Sequence, residues 1–244
     1  MCCRSLESDD RKLGVFSKSV NGLIIILTGS VNGGAPMNPK FFSLPDDKQQ
    51  AMLNAGYHVF SQNTYKKSPM SEIAEAAGIS KALLFHYFRN KKELYLFLWD
   101  TCAKVTVEEM ERSGCYEQTD LFNSMNYGMQ AKMRITRRYP DMALFAVKAF
   151  YEKDPEVAGE IQKSMEGYLS IHARRKLREV DPDDFIPGID LDMMYMEMYW
   201  ASEGYLWEFL QRGSTDFDEM ERNFQKLLDF WKSVYLKKSP EEAQ

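Results

Sequence analysis

From residue 46 onward the apolar side chains recur every three or four positions, Gly, Pro and Asp mark the breaks, and no run alternates with the two-residue period of a strand. The spacing predicts helices over 46–61, 69–77, 80–87, 91–113, 119–139, 141–152, 155–179, 190–212 and 216–237, and so an all-α protein of about nine helices joined by short connections. Several ends carry their own chemistry. Ser68 is placed as an N-cap before Pro69 at the first helical position, Pro140 and Pro155 open helices in the same way, and Gly213 suits a helix stop.

One stretch, "SPMSEIAEAAGISKALLFHYF" over 68–88, has a narrower meaning. Ile73, Ala74 and Ala77 share one apolar face, Gly78 permits the positive φ of a tight turn, Ser80 can cap the next helix, and Leu84 and Phe88 turn inward four residues apart. A small residue at the crossing, a glycine at the bend and a leucine plug beyond it give the spacing of a helix-turn-helix, a pattern that an amphipathic hairpin of any bundle partly shares. Lys81, Ala82, Phe85 and His86 fall on the stripes that point outward.

Charge sharpens that reading. The chain of 244 residues has a net charge of −5, which argues against a protein coated in nucleic acid. Between Tyr57 and Lys92, however, Lys66, Lys67, Lys81, Arg89, Lys91 and Lys92 face only Glu72 and Glu75, six positive against two negative, a local footprint that suits duplex DNA. The hydrophobic content of 44% fills a core. Four cysteines without a CxxC pair, and three scattered histidines, encode no zinc site, disulfide framework or catalytic triad, so no metal or cofactor is expected and the setting points to a reducing cytoplasm. The apolar run "GLIIILTG" over 22–29 is too short to span a bilayer. Residues 1–36 read as an upstream extension, with Met37 as a natural start, because the helical pattern begins only after "MNPKFFSLPDD".

The longer segment "SPMSEIAEAAGISKALLFHYFRNKKELYLFL" resembles the DNA-binding region of TetR-family transcriptional regulators: a Ser or Thr opening helix 2, an Ile-Ala pair, Ala-Gly-Ile-Ser-Lys, then Leu, an aromatic pair ending in Phe, and Lys-Glu-x-Leu. The likeness covers roughly 46–99. Ala82 stands where the family often has glycine, and Phe85 where it often has tyrosine, so Phe85 offers van der Waals or thymine-methyl contact in place of a phosphate bond. Ser68, Tyr65, Tyr87 and Lys91 are the expected phosphate contacts, Lys81, Ala82 and His86 the base-edge or groove-facing residues, and Ser80 and Phe85 complete the DNA-facing set. Packing of Tyr87 inside the small domain is the competing role for that residue. The resemblance divides the chain into a helix-turn-helix DNA-binding domain over 37–92 and a larger helical ligand-binding and dimerisation domain over 93–244.

The resemblance also implies a homodimer that sets two readers one helical turn apart, about 34 Å, on a double-stranded operator. In "LDMMYMEMYWASEGYLWEFLQ" one stripe carries Met194, Met198, Ala201 and Tyr205 and another Met193, Met196, Trp200 and Trp207, so both faces need covering. The first stripe, with Leu227 and Trp231 of the last helix, is assigned to the dimer interface. A small-molecule effector is expected among Trp99, Phe122, Met125, Met129, Phe145, Tyr151, Met165, Tyr168 and Trp200, where methionine and aromatic side chains suit either a pocket for an apolar or aromatic compound or an ordinary core. Glu203 is free to pair with a cationic ligand or with an Arg or Lys across the interface. The family's commonest output is a repressor released by ligand, with activation as the other sign. An enzyme finds no support, because no nucleophile-base pair, phosphate loop or metal spacing is present. A helical small-molecule-binding or protein-interaction module without DNA binding is the alternative.

Overall fold

The computed structural model describes residues 39–238, and at 168–176, 178 and 179 the backbone only. The extension expected over 1–36 lies outside the described residues. Among the described residues there are nine α-helices and no strand, and no helix is long and apolar enough to cross a membrane. Two compact units divide after Val105.

The first unit contains α1 (Asp46–Gln62), α2 (Met70–Ala76), α3 (Lys81–Tyr87) and the first part of α4 (Lys91–Arg112). Its division falls inside α4, beyond the boundary at residue 92 that the sequence suggested. Two aspartates, Asp46 and Asp47, sit in the first turn of α1, where the helix dipole favours negative charge. The helix buries Met52, Leu53, Tyr57, Val59 and Phe60. Gly56 allows close approach: a Cβ there would lie 2.7 Å from Leu98 Cδ1, and next to it Tyr57 donates its hydroxyl hydrogen to the Leu98 carbonyl at 3.0 Å. Leu53, Phe60, Ile73, Leu84, Phe88, Leu94 and Leu98 are almost wholly buried in the centre. Phe41, on a short 3-10 helix (Pro39–Ser43) that the periodicity did not predict, joins them and meets the Phe88 ring edge-on at 5.1 Å.

Between α2 and α3, Gly78 takes φ +67 and the Ile79 amide bonds back to the Ala74 carbonyl, so the bend forms where the sequence placed it. Ser80 caps α3, accepting the Leu83 amide hydrogen at 3.1 Å. Ser68 does not cap α2. Pro69 occupies the N-cap, and the Ser68 hydroxyl donates to the Thr64 carbonyl at 2.9 Å.

The second unit holds the end of α4, then α5 (Leu121–Arg138), α6 (Pro140–Phe150), α7 (Ala158–Glu179), α8 (Leu191–Gln211) and α9 (Phe217–Tyr235). Asp120, Asp190 and Asp216 cap α5, α8 and α9 through their carboxylates. Pro140 opens α6 as expected, and Gly213 at φ +62 follows α8. Pro155 does not open a helix: residues 155–157 form a turn, and α7 begins at Ala158. The core gathers Leu121, Phe122, Met129 and Met133 of α5 with Met194, Met198 and Leu206 of α8 and Met220, Phe224, Leu228 and Trp231 of α9.

Candidate functional site

The exposed side of α3 presents Lys81, Ala82, Leu83, Phe85 and His86 in a single seven-residue helix. Leu84 and Tyr87 face inward, and Phe88 follows as the C-cap residue, wholly buried. Three inward rings and side chains thus hold the helix while its other face stays in water. Lys81 Nζ lies 5.9 Å from the centre of the Phe85 ring, so charge and ring form one surface. Leu83, 39% exposed, belongs to this face, and the sequence reading did not assign it. Its signal was available: with Leu84 turned inward, a large apolar residue one position earlier on so short a helix points away from the core.

A polar brace fixes the corner behind α3. Asn90 accepts the Glu93 amide hydrogen at 2.8 Å while Glu93 accepts the Arg89 amide hydrogen at 2.7 Å and the Arg89 guanidinium at 3.3 Å. Lys91 donates from Nζ to the carbonyl oxygens of Tyr65 at 2.8 Å and Lys66 at 3.3 Å and stands 4.4 Å over the Tyr65 ring. Its charge therefore lies beside the exposed Lys66 and Lys67, and the lysine ties the loop after α1 to the start of α4.

Three residues expected to hold phosphates are elsewhere. Tyr65 is a core pillar, stacked on Phe60 at 6.4 Å and edge-on to Tyr95 at 5.1 Å. Ser68 is fully buried with its hydroxyl committed to Thr64. Tyr87 packs its ring against Phe41 at 6.0 Å and is mostly buried, the competing role that its aromatic body allowed.

In the second unit the expected effector residues separate. Phe122, Met129 and Phe145 are buried, Met125 and Met165 half-buried, and the Tyr168 side chain lies outside the described residues. Trp99 is buried within the first unit, so it belongs to a different compact body from the rest. Tyr151 is exposed, its ring 5.2 Å from Trp207. Trp200 is 56% exposed, which removes it from any interior wall.

The dimer stripe is reversed. Met194, Met198 and Trp231 are the protomer's own core, and Tyr205 and Leu227 pack against that core. The faces left in water carry Met193 and Trp200 on α8 and Phe230 and Val234 on α9. Both stripes of α8 are apolar, so periodicity alone could not tell which one the other helices of the chain would cover.

Glu203 pairs within the unit, with Lys132 of α5. Lys132 Nζ also lies 5.7 Å from the Tyr199 ring centre. Burial pulls the Lys132 ammonium down to about 8, partly opposed by an electrostatic interaction with Cys115. Burial likewise raises the Tyr195 phenol to about 12 and the Tyr199 phenol well above its ordinary value.

Residues 52–97 match the family model for bacterial regulatory proteins of the tetR family. The fatty acid metabolism regulator protein of Bacillus subtilis (strain 168) is 23% identical over 129 residues, 51% of this chain and 63% of its own length, so the match spans under two thirds of that relative. A TetR family transcriptional regulator from Chloroflexus aurantiacus J-10-FL has the same fold at a TM-score of 0.65, with 20% identity over 84% of this chain and 100% of its own. The transcriptional regulator FadR from Bacillus subtilis, solved in complex with stearoyl-CoA, matches at a TM-score of 0.61 and 15% identity over 75% of this chain and 96% of its own. The helix-turn-helix over residues 52–97 is thus similar to that of bacterial regulatory proteins of the tetR family, and the all-helical fold is shared with solved TetR family regulators.

Proposed function

We propose that the protein binds a palindromic double-stranded DNA operator as a homodimer, acts as a repressor, and is released when a small apolar or aromatic ligand enters its larger unit. The observation that carries this reading is the exposed face of α3, where Lys81, Ala82, Phe85 and His86 stand in water on a helix whose other side is locked in the core. Lys66, Lys67 and Arg89 are exposed around it and supply the sequence-independent attraction to phosphate.

Dimerisation is supported by the uncovered apolar stripe of α8 and α9, a surface that self-association removes from water. Ligand control is supported by the continuity of α4 from one unit into the other, which gives an event in the larger unit a covalent route to the reader. The stearoyl-CoA held by the Bacillus FadR supports a ligand with a substantial apolar body. A decisive switch requires roughly 5 kcal/mol of differential ligand affinity between the two states.

The test is the double variant K81A/H86A, measured by fluorescence anisotropy on a duplex that the native protein selects. Loss of two groove contacts weakens binding roughly tenfold or more, at about 1–3 kcal/mol for each good base contact. The melting temperature should not move, since both side chains are exposed. Unchanged affinity refutes the assignment of α3 as the reader.

A further inference from the structure

Among the described residues of the first unit, the exposed large apolar side chains are two, and both stand on the seven-residue helix α3: Leu83 at 39% and Phe85 at 38%. Folding does not call for them there, because the core beneath α3 is already filled by Leu84, Tyr87 and Phe88 and an outward helix position is ordinarily polar. Phe85 shares its flank with Lys81, whose Nζ lies 5.9 Å from the ring centre. At about 3.6 residues per turn, Leu83 stands roughly 160° around the helix from Phe85, on the far side of Ala82 and His86. The two apolar groups are therefore separate points on the outer face. Leu83 lies in the first turn, where its amide hydrogen is held by the Ser80 hydroxyl oxygen at 3.1 Å. Its backbone donor is thus used within the helix, and what it turns outward is purely aliphatic.

We propose that Leu83 is a specificity-determining residue of the reader, and that it selects a thymine in each half-site by packing on the C5-methyl group. The inference rests on the DNA-reading role proposed above for α3 and adds a contact distinct from those of Lys81, Phe85 and His86. The chemistry of the major groove picks the base. Guanine, adenine and cytosine present only donors and acceptors on their groove edges, and thymine alone presents a methyl group. An aliphatic side chain pressed on a polar edge shields it from water without replacing its hydrogen bonds, which costs free energy; pressed on a methyl group, both apolar surfaces leave water together. Position supports the contact, since residues at the start of a recognition helix are those that reach base edges. Because Leu83 and Phe85 occupy opposite flanks, the methyl group that Leu83 reads belongs to a different base pair from any that Phe85 touches.

The experiment uses the full chain and the duplex that the native protein enriches from a randomised pool. Each thymine of a half-site is replaced in turn by deoxyuridine, in both half-sites at once, which removes the methyl group and leaves every hydrogen-bonding atom of the base pair in place. Fluorescence anisotropy then compares the native chain with Leu83→Ala, Leu83→Met and Phe85→Ala. Burial of one methyl group corresponds to roughly fourfold in affinity, so at one thymine the paired replacement should weaken native binding on the order of tenfold. Leu83→Ala should bind the unsubstituted duplex more weakly by a similar factor and show no further loss at that thymine. Leu83→Met, which keeps the apolar reach, and Phe85→Ala should both retain the sensitivity there. The melting temperature of Leu83→Ala should not fall, since the side chain is exposed and alanine is a good helix former. A native chain indifferent to deoxyuridine at every thymine, the result expected if Leu83 packs on deoxyribose, overturns the proposal, and so does a Leu83→Ala variant with the native pattern of sensitivity. In both cases the selected duplex is still bound, so α3 stands as the reader and only the Leu83 contact falls. A pool without any enriched sequence removes both readings.

Discussion

Trp200 gives the sharpest mutational test of self-association. It is 56% exposed in the protomer, on the outer face of α8, with Phe230 at 59% on the neighbouring α9. A tryptophan side chain offers up to ~250 Å² for burial, so roughly 140 Å² of Trp200 is available to a partner. At about 25 cal/mol per Å² that amounts to ~3 kcal/mol in each protomer, and a twofold interface counts it twice. Interface area converts to affinity incompletely, because trimmed contacts relax and ordering costs shrink with them, so we take half the total, about 3 kcal/mol. The Trp200→Ala dimer should therefore dissociate with a Kd raised on the order of a hundredfold. Sedimentation velocity across a micromolar dilution series measures this against a protomer mass of 28.4 kDa. Met194→Ala is the control: Met194 is 3% exposed in the protomer core, so its truncation should lower the melting temperature while dilution shows no comparable shift in assembly. The reasoning fails if the native chain sediments at 28.4 kDa throughout the micromolar range, or if Trp200→Ala leaves the Kd unchanged.

Two stability predictions follow from other parts of the molecule. Gly56→Ala brings a Cβ to within 2.7 Å of the Leu98 methyl, so overpacking should outweigh the gain in helix propensity and cost about 1–3 kcal/mol, read from denaturant melts; a neutral or stabilised variant contradicts the close approach of α1 to α4. Stability should fall as pH rises above 10: the unfolded Tyr195 phenol loses its proton near 10 and the folded one near 12, so the native state holds more protons in that window. The contribution is about 2–3 kcal/mol, complete below pH 10, and Tyr195→Phe should fall less steeply than the native chain between pH 10 and 12. Identical pH profiles for the two proteins refute that account.

Helix positions were legible because the apolar period and the cap chemistry agree: Ser80, Pro140 and Gly213 each mark an end that the structure also has. The helix-turn-helix was legible because Gly78 and Leu84 do single, local jobs. What escaped reading depends on contacts distant along the chain. Phe41 precedes the periodic region and finds its place only when Phe88 closes over it. Tyr65 and Ser68 carry polar atoms that suit a phosphate, yet their positions in the α1–α2 connection turn them toward Phe60, Tyr95 and Thr64. On α8 two apolar stripes compete, and α5 and α9, folding back from either side in sequence, cover the stripe of Met194 and Met198. The Lys132–Glu203 pair spans 71 residues and leaves no periodic trace.

The central claim is that the outer face of α3 reads duplex DNA, twice in each assembly. Selection by the native protein from a pool of randomised duplexes at low ionic strength, without added compound, tests it most directly. The account predicts enrichment of an inverted repeat whose half-sites fit two readers about one helical turn apart, with affinity falling steeply as salt rises. A pool that emerges without any enriched sequence contradicts it.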